Sequence, residues 1–256
     1  MNKLNKMYTS ARAFSLATKH VKTPPINLEM ALVKGSKDIS ALVDLYSNTY
    51  MKEEPMVRAA GITDLRELTS FVSTALESQH SVLLRERSSG EVVAAASGGP
   101  VTSDTHEHLR FYADRTMKEP RSQRLVHLWA DVMFQSRQLQ SLHLSTLWDV
   151  SFLATTPRMR RLGLAQFLVT QQRRLATRLG YSALSLYSAC PHTAQLALKL
   201  GCHGLGARPL GSYHDSTGTP WVAGEDLVEF FYCVLQPRRD GTQHTTHNAE
   251  YTNQFK

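Results

Sequence analysis

The sequence predicts a single α/β domain in which a mixed, mostly antiparallel sheet is flanked by helices. Three observations predict it. Strand-type runs recur from about residue 26 to residue 235 and are interleaved with apolar positions at helical spacing. Neighbouring strand runs are joined by polar, glycine-containing turns, Ser88-Ser89-Gly90 in one case and a segment through Asp215-Ser216-Thr217-Gly218 in another. No linker and no internal repeat divides the 256 residues, and one core can serve that length.

The elements follow in order. Residues 1–25 are basic, free of acids and rich in Ser and Thr, with Met7, Phe14 and Leu16 loosely spaced. That composition fits a mitochondrial transit peptide or a disordered basic arm. Thr23-Pro24-Pro25 punctuates the start of the folded body, which spans residues 26–236. Ile26 to Lys34 alternates as a strand. Asp38 to Met51 carries Ile39, Leu42, Val43 and Tyr46 on one helical face, until Glu53-Glu54-Pro55 interrupts it. Thr63 to Gln79 is a second helix, with Asp64 and Glu67 at its N-terminus where the helix dipole favours acids. Ser81 to Arg87 and Glu91 to Ser97 are strands, 101–122 a loop with some helix, and Gln123 to Leu139 a helix. Leu147 to Ala154 is apolar without clean alternation, as a strand buried on both faces is. After a turn around Pro157 comes a helix from Gly163 to Leu179, closed by Gly180. Ala183 to Tyr187 is a strand, Thr193 to Leu200 a short helix, and Leu205 to Tyr213 and Leu227 to Leu235 the last strands. The tail, residues 237–256, is polar.

The formal net charge of +7 is unevenly spread. Residues 1–28 hold five basic side chains and no acid, and residues 150–214 hold eight basic side chains and no acid, while the remainder is net acidic. The excess is therefore a basic arm plus one local anion-attracting segment. No zinc-finger, RNA-recognition or basic-zipper pattern accompanies it, so nucleic acid is not the expected partner. No apolar run approaches the roughly 18–20 residues of a membrane span, so no membrane partner is expected either. Cys190, Cys202 and Cys233 fit neither a disulfide framework nor zinc spacing, which points to a reducing, cytoplasmic setting, with mitochondria the alternative offered by the arm. The eleven histidines are scattered, and no metal site is expected.

The segment Arg160-Arg161-Leu162-Gly163-Leu164-Ala165 lies between a strand and a helix. A helix N-terminus presents unpaired backbone N–H groups and a dipole that favours anions. Small residues at 163 and 165 let a phosphate approach that backbone, and arginines just ahead supply forked donors. No Gly-Lys-Ser/Thr follows, and two glycines of a dinucleotide fingerprint are missing, so the turn is neither of those phosphate loops. A basic surface turn with a glycine for its bend has the same composition.

This stretch resembles the acetyl-CoA-binding core of the GNAT acetyltransferase superfamily, whose signature is Gln/Arg-x-x-Gly-x-Gly/Ala after the fourth strand. Arg160, Gly163 and Ala165 match it, with Val150 to Ala154 ahead of it and Lys199-Leu200-Gly201-Cys202 behind. Glu53-Glu54-Pro55-Met56 and Tyr213 through Gly218-Thr219-Pro220 resemble the invertebrate arylalkylamine N-acetyltransferase-like group.

The resemblance implies a single GNAT-like domain in which the fourth and fifth strands splay apart. It implies acetyl-CoA as co-substrate, with its pantetheine arm along the fourth strand. Backbone N–H groups of Phe152, Leu153 and Ala154 then meet the thioester carbonyl, and those of Arg160, Arg161, Leu162, Gly163, Leu164 and Ala165 meet the diphosphate. Arg158 or Arg161 reaches the other phosphates, while Arg173 and Arg174, further along the helix, are solvated. The acceptor it implies is a small primary amine of the arylalkylamine class, such as dopamine, tyramine, octopamine or serotonin. A polyamine, an amino acid or a protein amine is the alternative, as is a CoA-binding domain without catalysis.

Glu54 is the candidate base and Glu53 its solvated neighbour; an exposed acid before a helix-starting proline is the bland counterpart. The superfamily often carries a tyrosine on the helix after the fifth strand, and residues 193–200 have none. The acid is thus left between Thr193, Ser188 and Tyr187, with Cys190 and His192 in the same loop. Tyr46, Tyr50 and Phe71 either line an amine pocket or belong to the core.

Overall fold

A computed structural model of the chain describes residues 27–136 and 146–235. The arm and tail expected at 1–25 and 237–256 lie outside the described residues. In chain order the elements are β1 (Leu28–Leu32), α1 (Ser36–Asn48), α2 (Tyr50–Glu53), α3 (Pro55–Ala59), α4 (Arg66–Ser78), β2 (His80–Glu86) and β3 (Val92–Val101). There follow α5 (Thr105–Thr116), α6 (Pro120–Ser136), β4 (Leu147–Thr155), α7 (Leu164–Arg178), β5 (Ala183–Ser188), α8 (Pro191–Lys199), β6 (His203–Pro209) and β7 (Leu227–Val234).

The strands form one sheet in the order β1-β2-β3-β4-β5-β7-β6. Every neighbouring pair is antiparallel except β4 and β5. Side chains alternate across a strand, so each face of the sheet carries its own core. One face packs Leu42, Tyr46, Met56, Leu68, Phe71, Leu125 and Trp129 of the helices α1 to α6 against Phe152 and Ala154. On the other, Leu164, Leu168 and Val169 of α7 and Ala194 and Ala197 of α8 pack against Trp148, Val150 and Leu184. No described helix is long and apolar enough to cross a membrane.

The central strands part company. β4 pairs with β5 only over Leu147–Asp149 against Ala183–Ser185. Beyond that rung β4 stays with β3 as far as Thr155, and β5 stays with β7 as far as Ser188. A bulge opposite Ser97 and Gly98 inserts Ser151 into β4, and a bulge bends and twists its strand. Glycine is required at 98, because a Cβ there would collide with the Asp149 carbonyl and stand 2.9 Å from Trp148 Nε1. From α7 the buried Gln172 fastens the junction: its amide donates to Ala96 O (2.8 Å) and His80 O (2.7 Å) and accepts from Trp148 Nε1 (3.0 Å).

Several expected boundaries moved. The helix expected from Asp38 to Met51 breaks at Thr49, and α3 follows with Pro55 at its first position. The second helix starts at Arg66, because the Asp64 carboxylate accepts from the Arg66 N–H (3.0 Å) in a turn ahead of it. Residues 101–122 are mostly helical, forming α5 and the start of α6. The strand expected to run to Tyr213 ends at Pro209 and gives way to one short 3-10 turn.

The cysteine reading is corrected. Cys202 and Cys233 form a disulfide, with Cα atoms 4.5 Å apart. Their proximity follows from register: His203 faces Tyr232 in the β6–β7 ladder, which sets 202 opposite 233. Cysteine usage therefore gives no argument for a reducing compartment.

Candidate active site

The gap between β4 and β5 is where the chemistry-bearing residues gather. Thr156 N–H donates to Val93 O (2.9 Å), which fixes the alternation of β4. The backbone of Phe152 and Ala154 accordingly turns toward β3, and that of Leu153 and Thr155 turns into the gap. Phe152 and Ala154 contribute buried side chains to the core under α1 and α2. Of the three backbone donors expected for a thioester carbonyl, Leu153 N–H is the one that faces the opening.

At the end of β4 the chain passes through a 3-10 turn, Pro157–Met159, into the N-terminus of α7. Arg161 adopts φ of 63° and Gly163 φ of 79°. Left-handed residues in such a turn aim successive N–H groups into one concavity, the geometry of an anion nest. Leu164, Ala165 and Gln166 follow as the first turn of α7, whose N–H groups have no intrahelical acceptor. A Cβ on Gly163 would meet no protein atom within 4 Å, so the space above this helix start is open. The Oγ1 atoms of Thr155 and Thr156, buried beside the turn, have no hydrogen-bond partner among the described residues. An open helix start, orphaned hydroxyls and a free strand edge fit the diphosphate and pantetheine of CoA.

The arginines divide. Arg160 donates to Thr155 O (3.2 Å) and pairs with Glu53 (2.8 Å), so it ties the turn to α2. Glu53 is exposed, a solvated neighbour of Glu54 that also pairs with Arg160. Arg158 pairs with Glu86 (3.2 Å) and Glu91 (2.8 Å) of the β2–β3 hairpin. Arg161 has no side-chain hydrogen bond or ion pair among the described residues. Arg173, expected in solvent, is half-buried and lies 3.4 Å from Leu200 O, while Arg174 is exposed.

Glu54 sits in the break between α2 and α3. The residue is only 9% exposed, and its Oε1 has no hydrogen-bond partner among the described residues. Burial pushes its pKa up to about 7, against the opposing effects of the Met56 backbone and the Arg58 charge. An exposed helix-start acid, the bland counterpart, does not describe this residue.

Tyr50 and Tyr187 are close enough to Glu54 for its charge to raise their pKa values further, after burial has raised both well above the usual phenol range. Tyr46, Tyr50 and Phe152 pack as an aromatic trio, with Tyr50 edge-on to Phe152 at 5.6 Å between ring centres. Phe71 instead packs between Tyr112 and Trp129 and is core.

Sequence reasoning missed Asp149. It lies on the last rung that β4 and β5 share and is 1% exposed. The Ser185 hydroxyl donates to its Oδ1 (2.6 Å) and the Ser151 hydroxyl to its Oδ2 (3.0 Å). Burial pushes its pKa up to about 6, and no basic side chain pairs with it among the described residues. The available signal was an acid inside an otherwise apolar strand, since a buried carboxyl needs dedicated partners.

The candidates for the acid are distributed along the far side of the gap. The Ser188 hydroxyl donates to Cys190 O (3.1 Å) and accepts the Cys190 N–H (2.9 Å), so it serves the turn into α8. Thr193 is half-buried in the first turn of α8, beside the exposed His192. Tyr187 alone of the group is part of the buried cluster with Asp149 and Glu54.

No protein-family model matches this sequence, and no curated protein matches it. Solved structures do. A mosquito arylalkylamine N-acetyltransferase-like 5b superposes with a TM-score of 0.68 at 20% identity, covering 81% of this chain and 100% of the other. Arylalkylamine N-acetyltransferase 2 from Aedes aegypti gives 0.70 at 16% identity, covering 82% and 100%. A Drosophila melanogaster polyamine N-acetyltransferase that forms N-acetylagmatine gives 0.65 at 19% identity, covering 81% and 100%. With one seven-stranded sheet, a bulged fourth strand and a splayed central pair, this chain has the GNAT N-acetyltransferase fold.

Proposed function

We propose that the protein is an acetyl-CoA-dependent N-acetyltransferase whose acceptor is a small primary amine of the arylalkylamine class. The observation that carries this reading is Glu54, a buried carboxyl with an unpartnered oxygen and a pKa near neutrality, set beside aromatic side chains at the strand gap. An alkylamine has a pKa of about 10 and arrives protonated, so a nearby acceptor must take its proton before it can attack. A base with a pKa near 7 is ionised enough to accept that proton and weakly acidic enough to release it afterwards.

The chain's own groups then divide the work. Glu54 takes the ammonium proton, and the freed nitrogen attacks the thioester carbon. A C–N bond forms as the C–S bond breaks, the nitrogen loses its second proton, and the sulfur takes one up. Leu153 N–H faces the carbonyl oxygen as negative charge builds there. The turn from Arg160 to Ala165 holds the diphosphate end. Tyr187, kept protonated by burial and by the charges of Asp149 and Glu54, is the donor proposed for the departing sulfur. Tyr50, backed edge-on by the buried Phe152, supplies aromatic surface for an aryl ring.

A second reading keeps the reaction and changes the acceptor to a polyamine or agmatine-like dication. Asp149 favours it, because a second buried carboxyl without a basic partner suits a second positive charge. One experiment separates the two. Purified protein is given acetyl-CoA with a panel of amines, and free thiol is followed. Turnover of dopamine, tyramine, octopamine or serotonin supports the first reading, and turnover of agmatine or spermidine alone supports the second. Tight CoA binding with no thiol released by any amine would leave a binding domain without catalysis.

A further inference from the structure

One rung of the sheet is unlike its neighbours. Ser81 on β2 faces Ser97 on β3, which faces Phe152 on β4, and all three positions are buried in sheet that is otherwise apolar here. The Ser81 hydroxyl donates to Ser97 Oγ (2.7 Å). Ser97 Oγ lies 2.8 Å from the Tyr46 hydroxyl, and that hydroxyl points at Phe152 O (3.5 Å). Each hydroxyl has one proton to give. Either hydroxyl of the Ser97–Tyr46 pair can be the donor; where Ser97 donates to Tyr46, the phenol proton is left for the Phe152 carbonyl. In that arrangement the hydroxyls link three strands and end on one peptide group. Burial pushes the Tyr46 pKa well up, so the phenol holds its proton at any working pH.

That peptide is the one whose other end faces the gap. In a trans peptide the C=O and the following N–H point in opposite directions, so the Phe152 carbonyl and the Leu153 N–H share one plane and one dipole. A donor on the carbonyl oxygen both fixes the plane and draws electron density from the nitrogen, which makes the N–H a stronger donor. The peptide follows directly on the β-bulge that inserts Ser151, so it is the first of the regular ladder on that side of the bulge.

We infer that Tyr46 is a positioning residue for acetyl transfer: backed by Ser97 and Ser81, its phenol orients and polarises the Phe152–Leu153 peptide so that Leu153 N–H receives the charge developing on the thioester oxygen. The inference rests on the acetyltransferase reading. The contact at 3.5 Å is long in the resting protein, and it shortens as charge develops across the peptide, as hydrogen bonds that serve a transition state do.

The test uses the full chain and acetyl-CoA labelled with carbon-13 at the thioester carbonyl, whose infrared band reports the donor it meets. In the unmodified protein the band should move to lower wavenumber than in water. Tyr46→Phe keeps the ring and loses the hydroxyl. It should return most of that shift, leave acetyl-CoA affinity within about twofold, leave the amine KM unchanged and lower kcat by about tenfold. This is less than the 10²–10³ lost when an oxyanion donor is removed outright, because the N–H itself remains. Ser97→Ala, which retains the phenol but breaks the hydroxyl chain, should show a smaller change in the same direction, and it carries the test if Tyr46→Phe does not fold. A merely structural hydroxyl would alter stability without moving the band. An unshifted band and unchanged kcat in both variants would overturn the inference with the acetyltransferase reading intact. Failure of the unmodified protein to bind acetyl-CoA would overturn both.

Discussion

Glu54 shows how a residue's setting becomes a measurable property. Burial raises its pKa from 4.5 to about 7, so between those values the folded protein keeps a proton that the unfolded chain has released. Stability from this group is intact below the lower value and is lost as pH rises through the upper one. Asp149 adds a similar fall between 3.8 and about 6. Replacing Glu54 with Gln should flatten the decline and leave the variant more stable than the parent at pH 8, on the order of 3 kcal/mol. Urea unfolding at pH 5 and pH 8 measures it, and an unchanged difference between the two pH values would mean that the carboxyl is hydrated. The identity of Glu54 was legible because a proline follows it. Its burial was not, since that depends on the packing of α2 and α3 against β4, which no local pattern reports. Arg158 teaches the converse: its position in the basic turn was plain, but the two hairpin acids that hold it come from 67 and 72 residues earlier.

At the scale of elements, the strand–turn–helix unit from β4 to α7 was the clearest in the sequence, since strand, punctuation and helical spacing agree within thirty-two residues. Helices α2 and α3 were obscured, because four or five residues are too few for a period to declare itself. The bulge in β4 was invisible too, although it opens the gap, because it depends on register against β3. The turn makes its own prediction. Gly163→Val would force a branched side chain into a left-handed conformation and into the open space above the helix start. Acetyl-CoA affinity should fall by more than tenfold while the fold persists, as read by calorimetry. Arg160→Ala should weaken binding less, because the backbone donors and helix dipole remain and the side chain is shared with Glu53. Equal affinities in Gly163→Val and the parent would contradict the phosphate turn.

For the molecule as a whole, the late elements are tied together by Cys202 and Cys233, which close a separation of 31 residues. A cross-link of that span contributes about 3–4 kcal/mol by restricting the unfolded chain. Cys202→Ala with Cys233→Ala should cost about that much, and a strong reductant should do the same to the parent; unfolding curves indifferent to reductant would mean that the two sulfurs are thiols. Deleting residues 1–25 should change neither melting temperature nor turnover. A loss above ~1–2 kcal/mol would place the arm against the body.

The proposed mechanism turns on Glu54 deprotonating an amine that then takes the acetyl group. The most direct measurement is thiol release from acetyl-CoA as a function of pH, with the preferred amine, for the parent and for Glu54→Gln. The parent rate should rise through a pKa near 7, as the carboxyl ionises. The variant should lack that limb, run about 10²–10⁴ slower at neutral pH, and recover in part as pH approaches the amine's own pKa of about 10. Near-normal turnover by Glu54→Gln with the parent's pH profile would contradict the claim.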